Sequence, residues 1–140
     1  MNILLPVDGS EHTQHMLSYL AAHDELLGRD HVFTALTVVP SIPLHASRFV
    51  DRKTLTEHYE EQAELVLGPV RSFCDQKNWR VQWAQAHGHA ADEIVAYATD
   101  QKVDLIVMGT HGKSALSNMI LGSVTTGVLA RCKIPVLLIR

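Results

Sequence analysis

Cysteine is scarce: Cys74 and Cys132 are the two in a chain of 140 residues. Each falls within an apolar helical pattern, which favours structural burial over metal or redox work and makes a disulfide-stapled scaffold unnecessary. A reducing cytoplasm is the expected compartment. Long hydrophobic runs are also missing. The opening MNILLPVDGS has no basic leader and too few apolar residues before Pro6 and Asp8 to make a signal peptide or a membrane span. The expectation is a soluble, cytoplasmic protein with no membrane partner. Basic charge is not in excess either. The formal net charge is -3 and the Lys and Arg residues are scattered, so the footprint of a nucleic-acid binder is lacking and no DNA or RNA partner is expected.

Catalytic and metal-binding constellations are similarly thin. The nine histidines are dispersed, and the pair in His87-Gly88-His89 has no further Cys, His or carboxylate cluster to complete a metal site. It reads as a solvent-facing turn. Ser, His and Asp all occur, but no nucleophile-elbow pattern assembles them into a hydrolase triad.

What the chain does have is enough length for one domain, residues 1–140, able to bury roughly 70% of its unfolded surface. It also has a regular alternation of patterns. Residues 2–7, Asn-Ile-Leu-Leu-Pro-Val, form an almost continuous apolar run ended by Asp8-Gly9-Ser10, which suits a strand buried on both faces followed by a helix-starting turn. Ser10 is the candidate N-cap. Met16, Leu17, Leu20 and Leu27 then recur at helical spacing up to Gly28, a C-terminal stop.

Residues 31–39 read as a second strand and 40–47, with two prolines and two serines, as a loop. Leu55, Tyr59, Ala63, Val66, Val70 and Phe73 trace one face of a long helix, although Tyr59-Glu60-Glu61 as a stretch reads as its solvated side. Gly68-Pro69 predicts a kink or break in it. Residues 79–86 alternate as a third strand, with Val81 and Trp83 on one side. A helix follows with Ala90 or Ala91, Ile94 and Ala98 facing inward. Residues 104–108 make a fourth buried strand, Val124, Val128 and Cys132 a last helix, and residues 134–139 a fifth strand.

Strands alternating with helices over short connections imply a parallel sheet with right-handed crossovers and helices on both faces. The expected fold class is therefore α/β, a single doubly wound five-stranded sheet of Rossmann-like type. Ligands bind such sheets beyond the carboxyl ends of the strands, where strand order reverses. Asp8, Val38 and Gly109 sit at such ends.

The stretch GTHGKSALSNMILGS, residues 109–123, resembles a phosphate loop but fails the P-loop template. That template needs four residues between its first glycine and Gly-Lys-Ser, and only two separate Gly109 from Gly112. Its own spacing is Gly109, two residues, Gly112, nine residues, Gly122, then Ser123. Glycines let backbone amides approach phosphate oxygens closely, and Gly122-Ser123 opens a helix whose first amides and dipole favour an anion. Ser123 and Thr125 can add hydroxyl bonds. His111 and Lys113 are further candidates for phosphate contact, with plain solvation as the alternative. Residues 114–121, with Leu116, Met119 and Ile120 apolar, read as a turn or short helix folding back over the site. Three turn-forming glycines without a ligand remain the competing reading.

This spacing, with VDLIVMG before it and IPVLLI after it, closely resembles the universal stress protein family, specifically the members that bind ATP through a glycine, two residues, glycine, nine residues, glycine, Ser or Thr motif. ILLPVDGSEHT at the start and LTVVP at the end of strand two extend the resemblance over the whole chain. It implies an adenine-nucleotide α-hydrolase-like fold and a homodimer, which would also cover the apolar C-terminal strand if that strand lies at a sheet edge. It further implies that Asp8 defines the adenosine end and that Val38 touches adenine. Pro6, Val7, Met108 and Gly109 would line the adenosine and ribose region, while Gly112, Gly122, Ser123, Val124 and Thr125 cradle phosphate. For Asp8 the alternative is an Asx-turn or helix cap.

The expected function is an ATP-binding stress-response module, with magnesium or manganese held mainly by the phosphates. The phosphate loop has no evident water-positioning carboxylate, which phosphoryl transfer requires. The alternative is a slow ATP hydrolase or nucleotidyl-transfer enzyme using the same pocket.

Overall fold

The first strand, β1 (Asn2–Pro6), is buried on both sides, as its uninterrupted apolar run requires. In the computed structural model, which describes residues 1–25, 30–112 and 121–140, it lies at the centre of a five-stranded sheet. The elements in chain order are β1, α1 (Glu11–Ala22), β2 (Val32–Val39), α2 (Leu44–Ser47), α3 (Arg52–Gln76), β3 (Val81–His87), α4 (Ala90–Asp100), β4 (Leu105–Gly109), α5 (Ser123–Arg131) and β5 (Val136–Ile139). The strands run parallel in the order β3-β2-β1-β4-β5. The Rossmann-like α/β architecture read from the sequence is the one present.

Strand periodicity sends alternate side chains to two cores. Ile3, Leu5 and Val7 of the first strand and its exit join Phe33, Ala35 and Val107 beneath α1 and α3, which contribute Met16, Leu17, Leu20, Leu67, Val70 and Cys74. On the other face Leu4, Leu36, Ile106 and Met108 meet Ala91, Ile94 and Ala98 of α4 and Val128 of α5. Each fully buried aliphatic side chain contributes about 1.5–3 kcal/mol relative to exposure. The two cores together clamp the sheet between helix pairs.

Local chemistry sets the boundaries. The Ser10 hydroxyl caps α1 by accepting from the Thr13 amide at 3.4 Å, and Asp51 does the same for α3 through Thr54 at 2.8 Å. The first helix, read as running to Gly28, instead ends at Ala22 with His23 as its C-cap; Leu27 and Gly28 themselves lie outside the described residues. The expected loop after β2 contains the one-turn helix α2, too short to leave a periodic signal.

Pro69 does not break α3, which runs through it for 25 residues. Gly68 has no Cβ to collide with the proline ring. Leu65, whose carbonyl loses its partner, lies on the solvent side, where water can bond it. β3 begins at Val81 rather than 79 because the preceding residues are spent leaving the helix: Asn78 takes φ 55° and the Trp79 amide donates to the Cys74 carbonyl at 2.9 Å. β5 likewise starts after Pro135, which has no amide to donate, although its carbonyl accepts from Ile106 at 2.9 Å. Cys132, expected inside the last helix, is its C-cap and only partly buried.

Candidate functional site

Strand order reverses between β1 and β4, so connections leaving these two neighbours diverge and a crevice opens at their carboxyl ends. A cleft of about 450 Å³ lies there. Its floor is made by strand exits: Pro6, Val7 and Asp8 after β1, Leu36 to Pro40 at the end of β2, and Met108 and Gly109 at the end of β4. His111 and Gly112 of the following loop and Gly122, Ser123, Val124 and Thr125 of the α5 N-terminus close one side. The structure thus brings together twelve of the thirteen residues singled out from the sequence. The thirteenth, Lys113, lies outside the described residues, as does the expected fold-back at 114–121 apart from its last residue, Leu121.

Asp8 is held by a short local network. Its Oδ1 accepts from the Ser10 amide at 2.9 Å and from the Thr13 hydroxyl at 2.9 Å, while its own amide donates to that hydroxyl oxygen at 3.1 Å. The first of these is the Asx-turn geometry. It fixes the carboxylate at the rim of the cleft instead of leaving it to rotate in solvent.

The three glycines of the motif are sites of close approach. A Cβ on Gly109 would stand 2.9 Å from His12 Cβ and 3.1 Å from the His12 carbonyl oxygen, so α1 reaches the end of β4 only over a bare backbone. A Cβ on Gly122 would meet His111 Cα at 3.1 Å and the Thr110 carbonyl at 3.3 Å, where the Gly122 amide already donates to that carbonyl at 2.8 Å. The third, Gly112, faces Asp8. These contacts draw the 110–112 loop, the α5 N-terminus and α1 onto one another.

The Thr125 hydroxyl donates to the Gly109 carbonyl at 3.1 Å, and the residue is 2% exposed. A phosphate needs donors, and this proton is already committed inside the fold. The expected hydroxyl bond from Thr125 to a ligand is therefore corrected: its hydroxyl ties α5 to β4. Ser123, exposed at the α5 N-terminus, keeps its hydroxyl at the mouth. Gly122, the N-cap, has no side chain with which to cap that turn.

Histidines crowd the same corner. His111 Nδ1 lies 3.0 Å from the Thr110 hydroxyl, and its ring tilts over His12 with centroids 5.0 Å apart. His12 Nδ1 is buried with no hydrogen-bond partner among the described residues.

Sequence reasoning missed the walls. Thr13, Thr37, Gln62, Val66, Ala90 and Ile94 also line the cleft. Ile94 carried a signal, since its helical face reads as inward. Gln62 and Val66 gave none for a site, because only tertiary packing decides which part of α3 overhangs the strand ends. Tyr59, one turn earlier, is not on a solvated side: its ring stacks on His87 at 4.3 Å and its hydroxyl accepts from the Ile42 amide at 3.1 Å. His87 and His89 are both exposed, as a solvent-facing turn requires, although the His87 ring carries the Tyr59 stack and His89 Nδ1 lies 3.1 Å from Asp92 at the start of α4.

The cleft offers apolar walls, a carboxylate and hydroxyls at one rim, and a helix N-terminus behind a glycine-rich turn. This composition suits a ligand with a flat apolar part and a polar or anionic tail. Among the described residues no group of three or more His, Cys, Asp or Glu could hold a metal ion, and no helix is long and apolar enough to cross a membrane.

A doubly wound, Rossmann-like sheet with a cleft at its switch point defines the class: α/β proteins that bind ligands at strand ends. Within that class the chain belongs to the universal stress protein family, which it matches over residues 1–140. It is 30% identical to the universal stress protein Slr1230 of Synechocystis across 99% of this chain, spanning 42% of that longer relative. It is 29% identical to the universal stress protein MJ0531 of Methanocaldococcus jannaschii, covering 99% of this chain and 81% of that one. Among solved structures, protein MJ0577 superposes with a TM-score of 0.80 at 29% identity, over 99% of this chain and 94% of that chain. More distant members sharing the fold have been solved with dAMP, from Archaeoglobus fulgidus (TM-score 0.69, 19% identity, 100% of this chain and 98% of that chain), and with AMP, from Arabidopsis thaliana (0.69, 13%, 99% and 90%).

Proposed function

We propose that the cleft binds ATP and that the protein is a nucleotide-dependent regulatory module of the stress response in the cytoplasm. The observation that carries this reading is the convergence of Asp8, Gly109, Gly112 and the Gly122-Ser123 helix start on one cleft. Solved family members holding dAMP and AMP support an adenine nucleotide as the ligand class. The purine would lie against Val38, Leu36, Ile94 and Met108, with Pro6, Val7 and Asp8 at the adenosine end. The phosphates would meet Gly112, Ser123 and the amides of Val124 and Thr125, where the helix dipole favours negative charge. His111 and Lys113 are the accessory candidates on the loop. Magnesium or manganese would be held mainly by the phosphates, since the protein contributes no carboxylate cluster there among its described residues.

One domain, residues 1–140, would carry this activity as a homodimer. The apolar β5 lies at the sheet edge with Leu137 exposed, a strand that pairing with a second copy would cover. Sedimentation should show a mass that rises with concentration, and a monomer at every concentration would remove the dimer.

The deciding experiment is to denature freshly purified protein, identify the released nucleotide by mass, and measure ATP binding by calorimetry with metal present. Absence of both would overturn the reading. Multiple turnover at or above about 1 s⁻¹, within the ordinary enzyme range, would replace the binding module with an ATP hydrolase or nucleotidyl-transfer enzyme.

A further inference from the structure

We propose that Tyr59 is a positioning residue that latches the outer wall of the cleft and sets the rate at which nucleotide leaves. The inference rests on the nucleotide reading above.

Tyr59, Gln62 and Val66 follow one another along the α3 face that overhangs the cleft, and the last two line it. The Tyr59 hydroxyl accepts a hydrogen bond from the Ile42 amide at 3.1 Å. Ile42 lies between two prolines, and the first of them, Pro40, is itself a wall of the cleft. The Tyr59 ring lies flat on His87, with centroids 4.3 Å and planes 5° apart. Beside His87, the Gly88 amide donates to the Val39 carbonyl at 2.9 Å. One side chain thus joins α3, the exit of β2 and the exit of β3.

Beyond Ile42 the chain gains little further anchorage. Leu44 is 81% exposed and Phe49 91% exposed, so the segment after β2 has few buried contacts. Segments of this kind open at low free-energy cost, and the Tyr59 hydroxyl bond is what fastens this one to α3. Releasing it frees Pro40 to swing from the cleft and opens an exit on the α3 side.

The test uses the full chain with Tyr59→Phe, which keeps the stack on His87 and removes the hydroxyl. Hydrogen exchange at the Ile42 amide reports the latch, and stopped-flow displacement of a fluorescent ATP analogue reports release. Loss of one hydrogen bond should accelerate both by about two- to tenfold, with little change in association rate. Tyr59→Ala, which also removes the stack, should accelerate release further. Tyr19→Phe, on α1 where the ring stacks on His23, should change neither. Wild-type binding with unchanged release in Tyr59→Phe overturns the latch alone, as does unchanged Ile42 exchange. A wild type that binds no adenine nucleotide overturns the nucleotide reading and the latch with it.

Discussion

Asp8 and Gly112 are fitted to each other across the cleft: a Cβ on Gly112 would lie 2.6 Å from Asp8 Oδ2. The carboxylate cannot retreat without cost, because its other oxygen is held by the Ser10 amide and the Thr13 hydroxyl. Gly112 is therefore small so that Asp8 can keep its place, whatever else its backbone does.

Gly112→Ala should displace the Asp8 carboxylate and so weaken adenosine as well as ATP, by about tenfold if one charge-assisted contact is lost. Calorimetry with both ligands checks it. An effect on ATP alone would show that Gly112 acts only at phosphate. Asp8→Ala should reproduce the adenosine defect, and adenosine binding that survives Asp8→Ala unchanged would remove Asp8 from the site.

Gly122→Val should act differently. Its side chain would push on the backbone at Thr110 and His111, moving the loop that carries Gly112, so ATP should weaken more than AMP and AMP more than adenosine. Overpacking of this kind also costs about 1–3 kcal/mol of stability, visible in urea unfolding. Equal losses for all three ligands would separate Gly122 from the phosphate end.

For Thr125→Val, nearly isosteric, the Gly109 carbonyl loses its 3.1 Å donor inside a buried contact. A destabilisation of about 1–3 kcal/mol is expected, measured by the urea midpoint. A neutral result would mean that the Gly109 carbonyl finds another partner.

The strand ends were legible and the walls were not. Asp8, Val38 and Gly109 could be placed at a cleft because an alternating β and α pattern puts its crevice at strand exits, and the run Asn2 to Val7 leaves no doubt about where the first exit lies. Helical periodicity placed Met16, Leu17 and Leu20 on α1's buried face and Ile94 and Ala98 on that of α4, leaving Ala90 or Ala91 open where the structure buries Ala91. It could not tell that Gln62 and Val66 of α3 reach the cleft at the strand ends. Gln62 carries no local mark distinguishing a cleft wall from a solvated face, and the apolar-face position of Tyr59 does not say which elements it packs against. Pro69 misled because the cost of proline depends on its neighbours: a glycine before it and solvent around the orphaned carbonyl remove most of the penalty.

The cysteines make a pH prediction. Cys74 is 1% exposed, and burial, aided by the nearby Asp75 charge, pushes its thiol up to about 11. The unfolded chain ionises near the ordinary value of 9.0, so between these values the native state holds a proton that the unfolded state has released. Stability contributed by the neutral thiol is complete below pH 9.0 and is lost as pH rises towards 11, at a limiting slope of about 1.4 kcal/mol per pH unit. Urea unfolding from pH 8 to 11 should show this decline and Cys74→Ala should flatten it, whereas parallel slopes would absolve Cys74. At pH 8 iodoacetamide should modify the partly exposed Cys132 before Cys74.

β1 and β4 pair over only two positions, Ile3 with Leu105 and Leu4 with Ile106, whereas β2 and β3 pair over seven. This short ladder is the seam where the first half of the chain, carrying β1, β2 and β3, meets the second, carrying β4 and β5. Pro6, Val7 and Asp8 belong to one half, and Met108, Gly109 and Gly122 to the other. A molecule bound in the cleft would grip both halves like a clasp, so the free energy holding it would also close the seam.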